Sequence, residues 1–267
     1  VLITSSTPAT SRTSYPRFPA FLPDTELTEG AYALRFARHA GELDAVLRLR
    51  YEIFNLELAE GLDSSHATQR DEDAFDAQCH HVMVVEQTTG AVAGTYRMQT
   101  HEMARAGLGF YSAGEFDLST LPATVLDDAV ELGRACVAKD HRNIRVLLLL
   151  WRGLAAYLAH NHRRHLFGCC SLTSQDPAEG ARVMRHLETH GHVHPAWRAL
   201  PLPGLECVAD ASNAGSAKIP RLMKIYLTYG AKICSPPAID RFFKTIDYLA
   251  IIDVNDLDPN TFRFFFR

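Results

Sequence analysis

Between residues 80 and 172 the chain lays down two apolar runs of strand length joined by TTG, then a third run, AVELGRACV. The long apolar pattern IRVLLLLWRGLAAYLAHNH and a further run, HLFGCCSL, follow. This order constrains the fold more than any other feature. HVMVVEQ and AVAGTYRMQT, with turn residues between them, predict a β-hairpin, and a strand, helix, strand succession comes after it. Upstream, ALRFAR (33 to 38) reads as a strand, and ELDAVLRLRYEIFNLEL (42 to 58) as a helix with Leu43, Val46, Leu47, Phe54 and Leu58 at helical spacing. Downstream, Asp176 and Pro177 start a helix, PRLMKIYLTYG reads as a helix ended by Gly230, and DYLAIIDV as a strand. The succession predicts an α/β domain on a mixed sheet flanked by helices.

A chain of 267 residues, 47% hydrophobic and 22% charged, can bury one large core. Residues 1 to 30, rich in Ser, Thr and Pro, read as a flexible arm, residues 31 to 200 as the core domain, and 201 to 267 as an extension packing on it. The net charge of -4 argues against a nucleic-acid partner. Six cysteines without CxxC spacing suggest a reducing compartment and no structural zinc. The start VLITSST lacks a signal-peptide pattern, and no window of about 18 apolar residues is present, so the expected location is the cytoplasm. The end, TFRFFFR, suits either peripheral contact with the inner membrane or a terminal element covering the core.

Glu131 and Arg134 interrupt the small, apolar run AVELGRACV. Period two predicts Val130, Leu132 and Arg134 on one face of the strand and Glu131, Gly133 and Ala135 on the other. A carboxylate inside a sheet is expensive without a partner or a task. The alternatives are a structural ion pair or the wall of an active site.

RYEIF (50 to 54), DEDAFD (71 to 76), GTYRM (94 to 98) and ELGR (131 to 134) resemble, in order and rough spacing, the acyl-carrier-protein-dependent N-acyltransferases of the GNAT superfamily. That group contains ornithine-lipid N-acyltransferases, long-chain N-acyl amino acid synthases and acyl-homoserine lactone synthases. GFYSAGEFDL and LLWRGLAAYL make the chain most similar to the ornithine-lipid, hemolysin-like branch, whereas Leu56, Leu58 and ELGR depart from the homoserine lactone synthases. The resemblance implies a GNAT-like, mostly antiparallel sheet flanked by helices. It implies transfer of a long, 3-hydroxylated or plain acyl chain from acyl carrier protein to the α-amine of an amino acid, ornithine first among candidates. The acyl-phosphopantetheine thioester is then a co-substrate, and no tightly bound cofactor is expected. A synthase using another amine, and a non-catalytic acyl-binding or membrane-binding module, stand as alternatives.

Amide formation needs a neutral amine, and a partly buried glutamate can take its proton, a role that falls to Glu131. Within the resemblance, Arg134, Arg97 and Arg50 organise the cleft, Asp73 and Asp76 bind the acceptor's ammonium or lock those arginines, and Phe54 packs beside the donor. Structural ion pairs and a core aromatic explain the same residues equally well. The turn AKDHRNIRV lacks the glycines that let backbone amides approach a coenzyme A pyrophosphate. A carrier-borne phosphopantetheine needs less, and Arg142 and Arg145 offer local positive charge to an acidic carrier. HATQRD (66 to 71) reads as loop, and HGHVH (190 to 194) as a helix end without metal-site spacing.

Overall fold

The computed structural model describes residues 15–209 and 216–266. Its strands, β1 (Leu27–Glu29), β2 (Tyr32–Phe36), β3 (His80–Glu86), β4 (Val92–Thr100), β5 (Ala129–Val137), β6 (His165–Leu172), β7 (Lys232–Ile233), β8 (Ala238–Asp240) and β9 (Thr245–Asp253), form one sheet. The spatial order is β1-β2-β3-β4-β5-β6-β9-β7, with β8 also on β9. Every pairing is antiparallel except β5 with β6. The helices are α1 (Ala40–Tyr51), α2 (Ser65–Thr68), α3 (His101–Arg105), α4 (Ala123–Asp127), α5 (Ile144–His160), α6 (Pro177–Thr189), α7 (Arg221–Thr228) and α8 (Pro259–Phe266).

Alternation along the strands builds two cores. Val82, Val84, Tyr96, Met98 and Val130 turn to the face covered by α5, where Val146, Leu149, Leu150 and Leu154 meet them. Met83 and Val85 turn the other way, onto Leu43, Val46 and Leu47 of α1. α5 carries this packing because Asn143 caps its first turn, accepting from the amides of Arg145 and Val146, and because its sequence is apolar through most of its circumference. Asp176 caps α6 as its position before proline predicts, and Gly230, at φ +86°, follows α7.

Three expectations change. The helix expected over 42 to 58 is α-helical only to Tyr51; Glu52–Glu57 form a π-helical turn, and the wider turn aims Phe54 inward and Glu57 toward Arg142. Residues 15 to 30 of the expected arm lie on the core, with Tyr15 hydrogen-bonded to His81, Leu22 buried and β1 paired to β2; residues 1 to 14 lie outside the described residues. The segment after residue 200 adds strands to the sheet: β9 pairs with β6 along eight residues and lies between β6 and β7. Finally, Arg134 shares the face of Glu131, not that of Leu132. The β4–β5 register shifts between Thr95 and Arg97, and Arg134 takes φ +49°, so one extra residue reverses the alternation and returns Ala135 and Val137 to the α5 face. The Phe-rich end forms α8, whose Phe265 is buried against Trp151 and Tyr229. Among the described residues, no helix is long and apolar enough to cross a membrane.

Candidate active site

β5 and β6 are paired only at Ala129↔His165, Val130↔Leu166 and Glu131↔Phe167. Beyond these they part. At the fork a Cβ on Gly168 would stand 2.1 Å from the Leu132 carbonyl oxygen, so only glycine lets the strands separate from so close an approach. A cavity of about 560 Å³ occupies the gap, and its lining comes from both faces of the sheet. On the α5 face it is apolar, with Leu132, Leu147, Leu150, Met223, Ile225 and Tyr226. On the α1 face it is polar, with Tyr111, Arg134, Glu60, Glu115, Asp240 and Asp247. The edge of β5 past Glu131 has no strand partner on the β6 side, so main-chain donors are available in the gap.

Beside the polar end lies a buried ion network. Arg50, fully buried, donates to Asp71 (2.7 Å) and Asp76 (2.6 Å), and Arg97 donates to Asp73 (2.6 Å) and Asp76 (3.1 Å). Burial alone pushes the Asp76 carboxyl up, but Arg50 and Arg97 outweigh it and hold the group well below the usual carboxylate range. Arg134 Nη2 donates to Asp73 (3.0 Å), and its guanidinium lies 4.1 Å from the Phe243 ring centroid and 4.9 Å from that of Tyr111. Each charge here offsets another, so the network fixes α1, the 71–76 loop, β4 and β5 against one another.

Glu131 is buried under residues 110 to 115. Its Oε1 accepts from the amide and hydroxyl of Ser112, both at 2.7 Å, and its Oε2 from Gln99 Nε2 (2.6 Å) and the Tyr111 amide (2.8 Å). It borders a small side cavity with Arg97 and Gln99 and is absent from the lining of the large one.

Four other carboxylates line the large cavity. Oxygens of Glu115, Asp240 and Asp247 all lie within 4.8 Å of one another, and the three residues are 6%, 8% and 2% exposed. Burial, reinforced by Asp247 and Asp240, pushes Glu115 well above the usual range, and burial raises Asp247 to about 6. Glu60, 4% exposed, is pushed up to about 7, chiefly by burial.

Comparison with known proteins identifies the family. An acetyltransferase (GNAT) domain profile matches residues 49–152. An L-ornithine N(alpha)-acyltransferase of Agrobacterium fabrum is 33% identical over 242 residues, 85% of this chain and 83% of that protein. The chain belongs to the L-ornithine Nα-acyltransferase family. A second L-ornithine Nα-acyltransferase, from Rhizobium meliloti, is 29% identical over 86% of this chain and 83% of its own. Among solved structures, the N-acyl amino acid synthase FeeM from uncultured soil microbes is 10% identical, with TM-score 0.48 over 87% of this chain and 93% of that one.

In this acyltransferase the structure divides the residues expected from sequence. Phe54 and Arg134 line the cavity, Phe54 edge-on to Phe243. Arg142 stands at the mouth beside Asn143 and Ile144, bonded through both terminal nitrogens to Glu57 at 2.6 and 2.8 Å. Arg50, Asp73, Asp76 and Arg97 are absent from the large cavity's lining, and each is paired with an opposite charge in the buried network. Arg145 turns away from the mouth, its guanidinium 3.1 Å from where a Gly30 Cβ would stand. Sequence reading missed Glu60, Glu115, Asp240 and Asp247, although GEFDL and IDYL each show an acidic group inside an apolar run.

Proposed function

We propose that this N-acyltransferase moves a long acyl chain from the phosphopantetheine arm of an acyl carrier protein to the α-amine of ornithine, giving a lyso-ornithine lipid. The two-faced cavity carries the reading: its apolar half suits an acyl chain, its acidic half suits a cationic amine, and the parted strands lie between. The donor thioester then sits at the fork, where free β5 amides can take the developing oxyanion. The amine nitrogen bonds to the thioester carbon, the carbon–sulfur bond breaks, and the thiol leaves with a proton.

The α-ammonium must first lose a proton. Glu60 suits this step better than Glu131, since it faces the large cavity and titrates near pH 7, whereas every Glu131 oxygen already accepts two bonds. The donor side supports a carrier protein: the 139–143 turn has no glycine, and Asn143 already occupies the first α5 amides that a pyrophosphate would need. Arg142 at the mouth offers charge to an acidic carrier.

The test is incubation of the purified protein with 3-hydroxypalmitoyl-carrier protein and mixed amino acids, with acyl-coenzyme A as the parallel donor and mass spectrometry of the amides. The expected product is 3-hydroxypalmitoyl-ornithine from the carrier. Amides of other amino acids in place of ornithine, or transfer from coenzyme A alone, overturn the corresponding half of the proposal.

A further inference from the structure

The carboxyl groups of Glu115, Asp240 and Asp247 bring together a buried cluster of acceptor oxygens to which the described residues supply few donors. Asp240 accepts from the amides of Phe242 (2.7 Å) and Phe243 (2.9 Å), and Asp247 Oδ2 from the Thr245 hydroxyl (2.8 Å). Among the described residues, Glu115 Oε2 and Asp247 Oδ1 have no hydrogen-bond partner, although their residues are only 6% and 2% exposed and both line the cavity. Arg134 is a cation that acts on Glu115 and Asp247, but its guanidinium already faces Asp71 and Asp73. A buried carboxylate oxygen without a donor is costly, and three together cost more, unless a ligand brings the missing protons and charge.

We propose that this triad is the receptor for the side-chain ammonium of the acceptor amino acid, and so the element that selects a dibasic acceptor over a neutral one. The inference rests on the acyl-transfer reading above and adds the part of the site that recognises the acceptor's far end. A primary ammonium presents three N–H donors, and bonds of about 2.8 Å place their acceptors about 4.6 Å apart, within the 4.8 Å span of the three oxygens. The triad draws on two distant parts of the sequence: Glu115 follows the short turn Tyr111–Gly114, whereas Asp240 and Asp247 lie on neighbouring strands β8 and β9. Among the described residues, no carboxylate in the set is held by a lysine or arginine ion pair that would have to break on binding.

The test compares wild type, Asp240→Asn, Asp247→Asn and Glu115→Gln with L-ornithine and with L-norvaline, which has the same carbon chain without the terminal amine. Acyl transfer from 3-hydroxypalmitoyl-carrier protein is measured alongside calorimetric binding of each amino acid to the protein alone. Wild type should favour ornithine by roughly 100-fold or more in kcat/KM, and each variant should cut that ratio at least tenfold, mainly through the ornithine KM. Ornithine transfer with an unchanged ratio in all three variants overturns the triad's role while leaving the transfer reading intact. Ornithine binding that the variants abolish, without transfer by wild type, supports the triad and removes the transfer reading. Loss of activity on chelation, restored by a divalent cation bound at one per chain, assigns the triad to a metal and overturns the proposal, as does wild type that neither binds nor acylates ornithine.

Discussion

Glu131→Gln separates a scaffold carboxylate from a proton acceptor. Both wild-type oxygens face only donors: two backbone amides, the Ser112 hydroxyl and Gln99 Nε2. A glutamine replaces one oxygen with a donor, and in either flip its nitrogen points at a backbone N–H, of Tyr111 or of Ser112, that cannot reverse. One buried amide is then unsatisfied, costing about 1–3 kcal/mol, and the two bonds kept at the other oxygen fall from charge-assisted to neutral strength, costing about 1 kcal/mol more. The total, about 3 kcal/mol, corresponds to a melting temperature lower by roughly 6–12 °C for a domain of this size. The shifted 110 to 115 segment also carries Tyr111 and Glu115, so the acceptor KM rises with the loss of stability. Thermal unfolding by circular dichroism, with transfer kinetics on the same sample, measures both. A variant that melts within about 2 °C of wild type while kcat falls 100-fold or more refutes this reasoning and returns Glu131 to the role of base.

The wild-type rate should rise with pH through about 7, and Glu60→Gln should lower kcat by roughly 10²–10³-fold and flatten that rise; a retained rise shows that another group titrates there. Asp247, raised by burial to about 6, binds its proton more tightly in the folded than in the unfolded chain, so its contribution to stability is fully present below the unfolded value of 3.8 and is lost as pH rises through about 6. Asp247→Asn should therefore gain about 1.4 kcal/mol over wild type between pH 5 and pH 8, read from denaturant midpoints; equal pH slopes in the two proteins refute it. Gly168→Ala places a methyl 2.1 Å from the Leu132 carbonyl, so β5 and β6 must move apart, with a stability loss of about 1–3 kcal/mol or more and weaker transfer. An unperturbed melting temperature means that the fork opens without strain.

The arrangement of apolar runs determined a great deal by itself. The β3–β4 hairpin, β5, α5 and β6 follow from local periodicity and turn residues, and the caps of α6 and α7 follow from Asp176, Pro177 and Gly230, because these signals act over a few residues. The blocks containing Arg50, Asp73, Asp76, Arg97, Glu131 and Arg134 were legible as one charged constellation, and they do cluster in space. Which of them line the large cavity was not legible. That division depends on a one-residue bulge at Arg134, which reverses the strand's alternation, and on which carboxylates already have an arginine beside them. Glu60, Glu115, Asp240 and Asp247 come together only when β9 inserts beside β6 and the 110 to 115 segment folds over β5. Sequence periodicity reports the face of an element on which a residue lies; the charge left unpaired after packing is a property of contacts between distant segments, and tertiary structure alone decides it.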